Sequence, residues 1–192
     1  MTVNSSKAPG AIRIIGGQWR SRTVAVADAP GLRPTPDRVR ETLFNWLQFS
    51  LAGARCLDLF AGSGILGLEA LSRGAAAVTA LECDAGAAAL LRRNAATLHA
   101  DALQVLQQDA LHWLAQGPGT APYDIAFIDP PFAAQLQQRS CALLHAQQWL
   151  APGARVYLEA AQPLDGLPLP PGWALVRHKR AGEVHYGLCE AN

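Results

Sequence analysis

The chain has 192 residues, half of them hydrophobic, enough for one α/β domain with a small extension. No apolar run reaches the length of a membrane span and Met1 to Ala11 holds no signal-peptide core, so a cytoplasmic protein with no membrane partner is expected. The net charge is only +1, and neither the five histidines nor the widely separated Cys56, Cys83, Cys141 and Cys189 show metal-ligand spacing, which argues for free thiols and no metal.

The division expected is a disordered tail over residues 1–10 and a single domain over 11–192. Within that domain, 11–30 is a hairpin extension, 31–52 a loop and helix, and 53–192 the core. In chain order, alternating apolar residues over 11–27 predict a hairpin turning at Gly16-Gly17. Gly31 to Pro36 is a proline-containing loop. Asp37 to Leu51 reads as a helix with Val39, Leu43, Trp46 and Leu47 on one face. Cys56 to Phe60 is a buried strand that runs through a glycine turn, Ala61 to Gly67, into a helix ending at Gly74. A strand follows at Ala77 to Leu81, then a helix from Asp84 to His99 and a strand from Leu103 to Gln108. A short helix over Leu111 to Ala115 and a loop over Gln116 to Pro122 come next. Tyr123 to Ile128 is an apolar strand, Ala134 to Leu150 a helix, and Ala154 to Glu159 a strand. After a Pro/Gly-rich loop from Gln162 to Gly172, Trp173 to Lys179 and Val184 to Cys189 form a closing hairpin. Strands alternating with helices imply a mostly parallel sheet covered on both faces, extended by that hairpin.

Two motifs carry chemistry. Asp129-Pro130-Pro131-Phe132 closes the Tyr123 to Ile128 strand. The prolines remove N–H donors and turn carbonyls outward. A carboxylate, a carbonyl and an aromatic face together suit a flat base with an exocyclic amine, as in amino-group methyltransferases; the same run can also be a plain turn. Gly62, Gly64 and Gly67 satisfy G-x-G-x-x-G after a strand and before a helix, and Glu82 closes the next strand. That pattern binds either a dinucleotide or S-adenosylmethionine. Asp58 disfavours a pyrophosphate and suits a cationic ammonium, which leans towards the second. Charge is uneven: residues 1–40 carry seven basic and two acidic side chains, the rest nine and thirteen. A basic arm of net +5 on a body of −4 suggests an anionic polymer, against the plainer reading of a solvated terminus.

Further stretches share a pattern: Arg13-Ile14-Ile15-Gly16-Gly17 with Trp19 and Arg20; Leu32-Arg33-Pro34-Thr35 with Arg38 to Phe44; Leu57 to Gly64 through Glu69 to Gly74; and Tyr186. With Asp129 to Phe132 they resemble the bacterial 16S rRNA guanine-N2 methyltransferases of the RsmD type, from about Ile12 to Cys189. The resemblance implies a Rossmann-like class I methyltransferase fold with a seven-stranded, mostly parallel sheet and an N-terminal β-hairpin extension. It implies S-adenosyl-L-methionine as methyl donor and, as partner, 16S rRNA in the assembled or partly assembled small ribosomal subunit. Asp129, Pro130, Pro131 and Phe132 are the catalytic candidates. Thr35, Asp58, Phe60, Gly62, Gly64, Glu82, Asp109 and Ala110 are the cofactor candidates, with Thr35 near the methionine carboxylate, Glu82 on the ribose and Asp109 at the adenine amine. For Asp109 a simple helix cap is the competing role. Arg13, Arg20, Arg22, Arg33 and Arg38 are candidate RNA contacts; Arg40 is a weaker one, because it can pair with Glu41. Rival functions are an adenine-N6 or cytosine-N4 nucleic-acid methyltransferase, an NAD-dependent oxidoreductase and a non-catalytic assembly factor.

Overall fold

The structure, a computed structural model, describes residues 10–26, 35–131 and 136–192. Arg33 and Phe132 lie outside the described residues. The helix α1 spans Asp37–Leu47, after the hairpin strands β1 (Gly10–Arg13) and β2 (Thr23–Val26). Then come β3 (Arg55–Asp58), α2 (Ile65–Ser72), β4 (Ala77–Leu81), α3 (Ala85–Leu98) and β5 (Leu103–Leu106). The second half holds α4 (Ala110–Ala115), β6 (Tyr123–Ile128), α5 (Leu136–Ala146), β7 (Leu150–Ala160), β8 (Ala174–Ala181) and β9 (Val184–Ala191).

Seven strands form one sheet in the order β5-β4-β3-β6-β7-β9-β8, with β9 antiparallel to both its neighbours. The β3 to β7 strands are parallel, so their exits share one edge. Strand order runs outwards from β3 in one direction and from β6 in the other. The crevice between β3 and β6 is therefore the switch point, where ligands of open α/β sheets bind. Near-continuous apolar runs explain the central strands: Ile125, Ala126, Phe127 and Ile128 of β6 are fully buried, as expected for strands covered on both faces.

Two helices are shorter than the periodicity predicts. Helix α1 stops at Leu47, not Leu51: Leu51 folds back into the core while Phe49 is 94 % exposed. Likewise α5 stops at Ala146 rather than Leu150. Gln148 takes φ 56°, and the Trp149 N–H returns to the Leu144 carbonyl at 3.0 Å, which lets β7 begin at Leu150.

The hairpin β1–β2 is a sheet of its own, and its strands are joined by the longer loop 14–22 rather than a tight turn at Gly16-Gly17. That loop is tied to α2. The Gln18 N–H donates to the Ser72 carbonyl at 2.7 Å, the Trp19 N–H to Ser72 Oγ at 2.9 Å, and the Ile15 N–H to Glu69 Oε2 at 2.9 Å. A Cβ at Gly17, whose φ is +75°, would fall 1.8 Å from the Ser72 carbonyl oxygen, so only glycine permits this approach. Arg40 locks the same corner. It is fully buried and binds Asp37, Glu69 and the carbonyls of Arg13 and Thr35. The expected Arg40–Glu41 pair is absent among the described residues, and Arg40 is no phosphate contact: its guanidinium is taken up inside the fold.

Candidate active site

The exits of the parallel strands bring the motif residues to one edge. The Leu59 N–H donates to the Phe127 carbonyl at 3.1 Å and the Ala61 N–H to the Leu81 carbonyl at 2.9 Å, so the β3 exit is strapped to β6 on one side and β4 on the other. The chain then turns through Gly62 and Gly64, which have φ 51° and 76°. A Cβ on Gly64 would lie 2.0 Å from Leu91 Cδ1, so α3 packs directly on the bare backbone at the start of α2.

Asp58 ends β3 almost completely buried, and its Oδ2 has no hydrogen-bond partner. Burial pushes its carboxyl up to about 7, against the pull of the Gly67 and Phe60 amides, with the Glu82 charge adding to the rise. An orphaned buried acceptor under a glycine turn is the environment that a cationic ammonium satisfies. Glu82, at the β4 exit, is half-buried and braces the turn: Oε2 accepts from the Gly62 N–H and Oε1 from the Asp84 N–H, both at 2.8 Å. Asp109 is exposed and caps α4, accepting from the His112 N–H at 2.8 Å; Ala110 beside it is buried. Phe60 is half-buried at the β3 exit.

Across the switch point, Asp129 follows β6, with Pro130 buried and Pro131 exposed. Thr35, expected near the methionine carboxylate, stands on this side of the crevice and donates its hydroxyl to Asp129 Oδ2 at 3.1 Å. Glu159, buried to 4 % exposure at the β7 exit, is a member of this cluster that no sequence motif marks. Its carboxyl and that of Asp129 act on each other electrostatically, and the Tyr157 hydroxyl donates to Glu159 Oε1 at 2.6 Å. Burial holds both carboxyls above the usual carboxylate range, and for Asp129 the charges of Glu159 and Asp58 add to the rise. The signal that finds Glu159 is register: Ile128 pairs with Leu158, so the next residues, Asp129 and Glu159, stand side by side.

The basic residues divide between the two ends of the sheet. Arg22 donates to the Thr97 carbonyl at 2.8 Å, at the C-terminal end of α3, a favourable place for a cation. Arg20 follows Trp19 on the loop that packs on the C-terminal end of α2. Both are exposed but sit at helix ends away from the strand exits. Arg13 and Arg38 are exposed beside the Arg40 lock. A second basic run, Arg177, His178, Lys179 and Arg180, is exposed on edge strand β8. Lys179 pairs with Tyr186 and Tyr186 with Glu159, so this run reaches the same edge as Asp129.

The family model described as Conserved hypothetical protein 95 matches residues 12–190. The ribosomal RNA small subunit methyltransferase D of Escherichia coli K12 is 52 % identical over 180 residues, covering 93 % of this chain and 89 % of that one. The chain belongs to the RsmD family of methyltransferases. The Haemophilus influenzae protein of the same name is 43 % identical, with 97 % of each chain covered. A solved structure titled a putative methyltransferase yhhF from Escherichia coli superposes with a TM-score of 0.87 at 48 % identity, covering 95 % of this chain and 99 % of that one. At the strand exits, the glycine turn, Asp58 and Glu82 lie on one side of the switch point, and Asp129 with Pro130 on the other.

Proposed function

We propose that this enzyme transfers a methyl group from S-adenosylmethionine to the exocyclic N2 of a guanine in 16S rRNA, within an assembled or partly assembled small ribosomal subunit. The relatives' names support ribosomal RNA as substrate. The observation that carries an amine target is the Asp129–Pro130 corner at the switch point, beside the buried acceptor Asp58. The donor, when bound, supplies an electrophilic methyl on a positively charged sulfur.

The chain's own groups then divide the work. The Gly62–Gly64 turn, the start of α2 and Asp58 hold the methionine portion. Glu82 accepts from the ribose hydroxyls while keeping the turn in shape, and the Asp109 and Ala110 corner receives the adenine, with Asp109 Oδ1 already capping α4. An exocyclic amine is a poor nucleophile, because its lone pair is delocalised into the ring. Asp129 and the Pro130 carbonyl accept from its two N–H bonds and aim the lone pair at the methyl. Phe132 is proposed to stack on the base, which must leave its RNA stack at a cost of a few kcal/mol. Among the arginines, Arg13 and Arg38 suit RNA phosphates by position, with Arg33 shortly before Arg38 in sequence. Arg20 and Arg22 would meet only RNA reaching the far end of the helices.

Asp129→Ala tests the reading. Methyl transfer to small subunits should fall by roughly 10²- to 10⁴-fold, with donor affinity unchanged. Transfer at the wild-type rate would overturn the assignment of Asp129.

A further inference from the structure

Glu159 has no partner that makes it a surface charge. Its Oε1 is taken by the Tyr157 hydroxyl at 2.6 Å, and its backbone carbonyl by Gln137 Nε2 at 2.8 Å. The Thr35 hydroxyl donates to Asp129 Oδ2 at 3.1 Å. Strand register sets the Asp129 and Glu159 carboxyls side by side at adjacent exits, and two like charges so placed out of water cannot both ionise. Among the described residues, the groups that act on the pair are acids and hydroxyls: Asp58 from β3, Tyr157 from β7 itself, Tyr186 from β9 through Tyr157, and Thr35 ahead of α1. The buried cation of α1, Arg40, is engaged by Asp37 and Glu69. The pair is thus a monoanion carrying one shared proton.

Building on the amine-methylation reading, we propose that Glu159 is the positioning residue of the transfer: it holds the Asp129 carboxyl on the amine and completes a carboxyl pair that takes up the proton the amine must lose. The proton count closes. When the nitrogen–carbon bond forms and the carbon–sulfur bond breaks, its electron pair stays on sulfur, which becomes neutral. The nitrogen is left cationic with two protons. One passes to the Asp129–Glu159 monoanion, which becomes neutral and returns that proton to water. A lone Asp129 would be fixed by Thr35 alone and would hold its proton independently of any neighbour.

Glu159→Gln separates this role from a structural one, because it keeps the shape and can still donate to Asp129 but cannot share a proton. The turnover number should fall about 10²-fold, the scale of a misplaced reacting group, with the KM for subunits little changed and the melting temperature preserved. The acid limb of the pH–rate profile should move to higher pH, since the Asp129 carboxylate loses the shared proton that stabilises the monoanion. An infrared spectrum without substrate, taken in an Asp58→Asn background so that the Asp58 carboxyl adds no band, should show a protonated carboxylic acid at neutral pH that disappears when Glu159→Gln or Asp129→Asn is added. An unmoved acid limb, or a carboxylic-acid band that survives Glu159→Gln, would overturn the proposal. If the wild type methylates no RNA yet loses the band in both variants, the functional reading fails while the shared proton stands.

Discussion

At the residue scale, Asp58 makes the sharpest demand. Its folded carboxyl sits at about 7 against an ordinary 3.8, so the protonated form is the one the fold prefers. The stability it contributes is complete below the ordinary value and is lost as pH rises through about 7. An ammonium placed against Oδ2 reverses that preference by stabilising the carboxylate. Below pH 7, donor binding should therefore release a proton, and affinity should rise with pH towards about 7. Calorimetry in buffers of different ionisation enthalpy measures this directly. Asp58→Asn should abolish the proton release and flatten the loss of stability; proton release that persisted in this variant would exclude Asp58 as its source. Asp129 makes a second demand: Asp129→Asn keeps an acceptor oxygen, so activity close to wild type would show that acceptor geometry suffices and that the charge of the carboxyl pair is dispensable.

At the element scale, the Arg40–Glu69 pair is what attaches the hairpin and α1 to α2. Both side chains are fully buried, and Glu69 also receives the Ile15 N–H at 2.9 Å and Arg73 Nε at 2.8 Å. Removing Arg40 leaves the buried Glu69 with Arg73 as its remaining cation, so Arg40→Ala should cost towards the lower end of about 3–5 kcal/mol by denaturant unfolding; a drop in stability under about 1 kcal/mol would show that the corner stands without it. Gly64→Ala should cripple donor binding, because its Cβ would collide with Leu91 at a backbone angle that side chains avoid. The order of elements was legible in the sequence because apolar runs, glycine turns and alternation are local. The ends of α1 and α5 were not, since those helices stop where Leu51 and Trp149 are recaptured by the core, a tertiary event. Asp58, Glu82 and Asp129 were legible as motif residues, each at a strand exit. Glu159, Thr35 and Arg40 were not legible in their roles, because their partners lie 30, 94 and 29 residues away in sequence and only strand register and helix packing join them.

On the scale of the whole molecule, charge and sheet geometry jointly set where RNA is met. Three strand spacings of about 4.8 Å place Lys179 roughly 14 Å from Asp129 along one edge, a span that RNA entering the site would cross. Replacing Arg177, Lys179 and Arg180 together should weaken subunit binding and lower the salt slope by about 1 for each phosphate that is no longer neutralised. Replacing Arg20 and Arg22, at the far helix ends, should lower it less. The opposite ranking would place the RNA along the hairpin arm instead. The decisive measurement is to incubate the wild-type enzyme with tritiated S-adenosylmethionine and undermethylated small subunits, with free 16S rRNA in parallel, and to identify the labelled nucleoside. Label in N2-methylguanosine, greater from subunits than from free RNA, is the expected result. Label in methyladenosine or methylcytidine, or none in either substrate, would contradict the assignment of a guanine amine to the Asp129 corner.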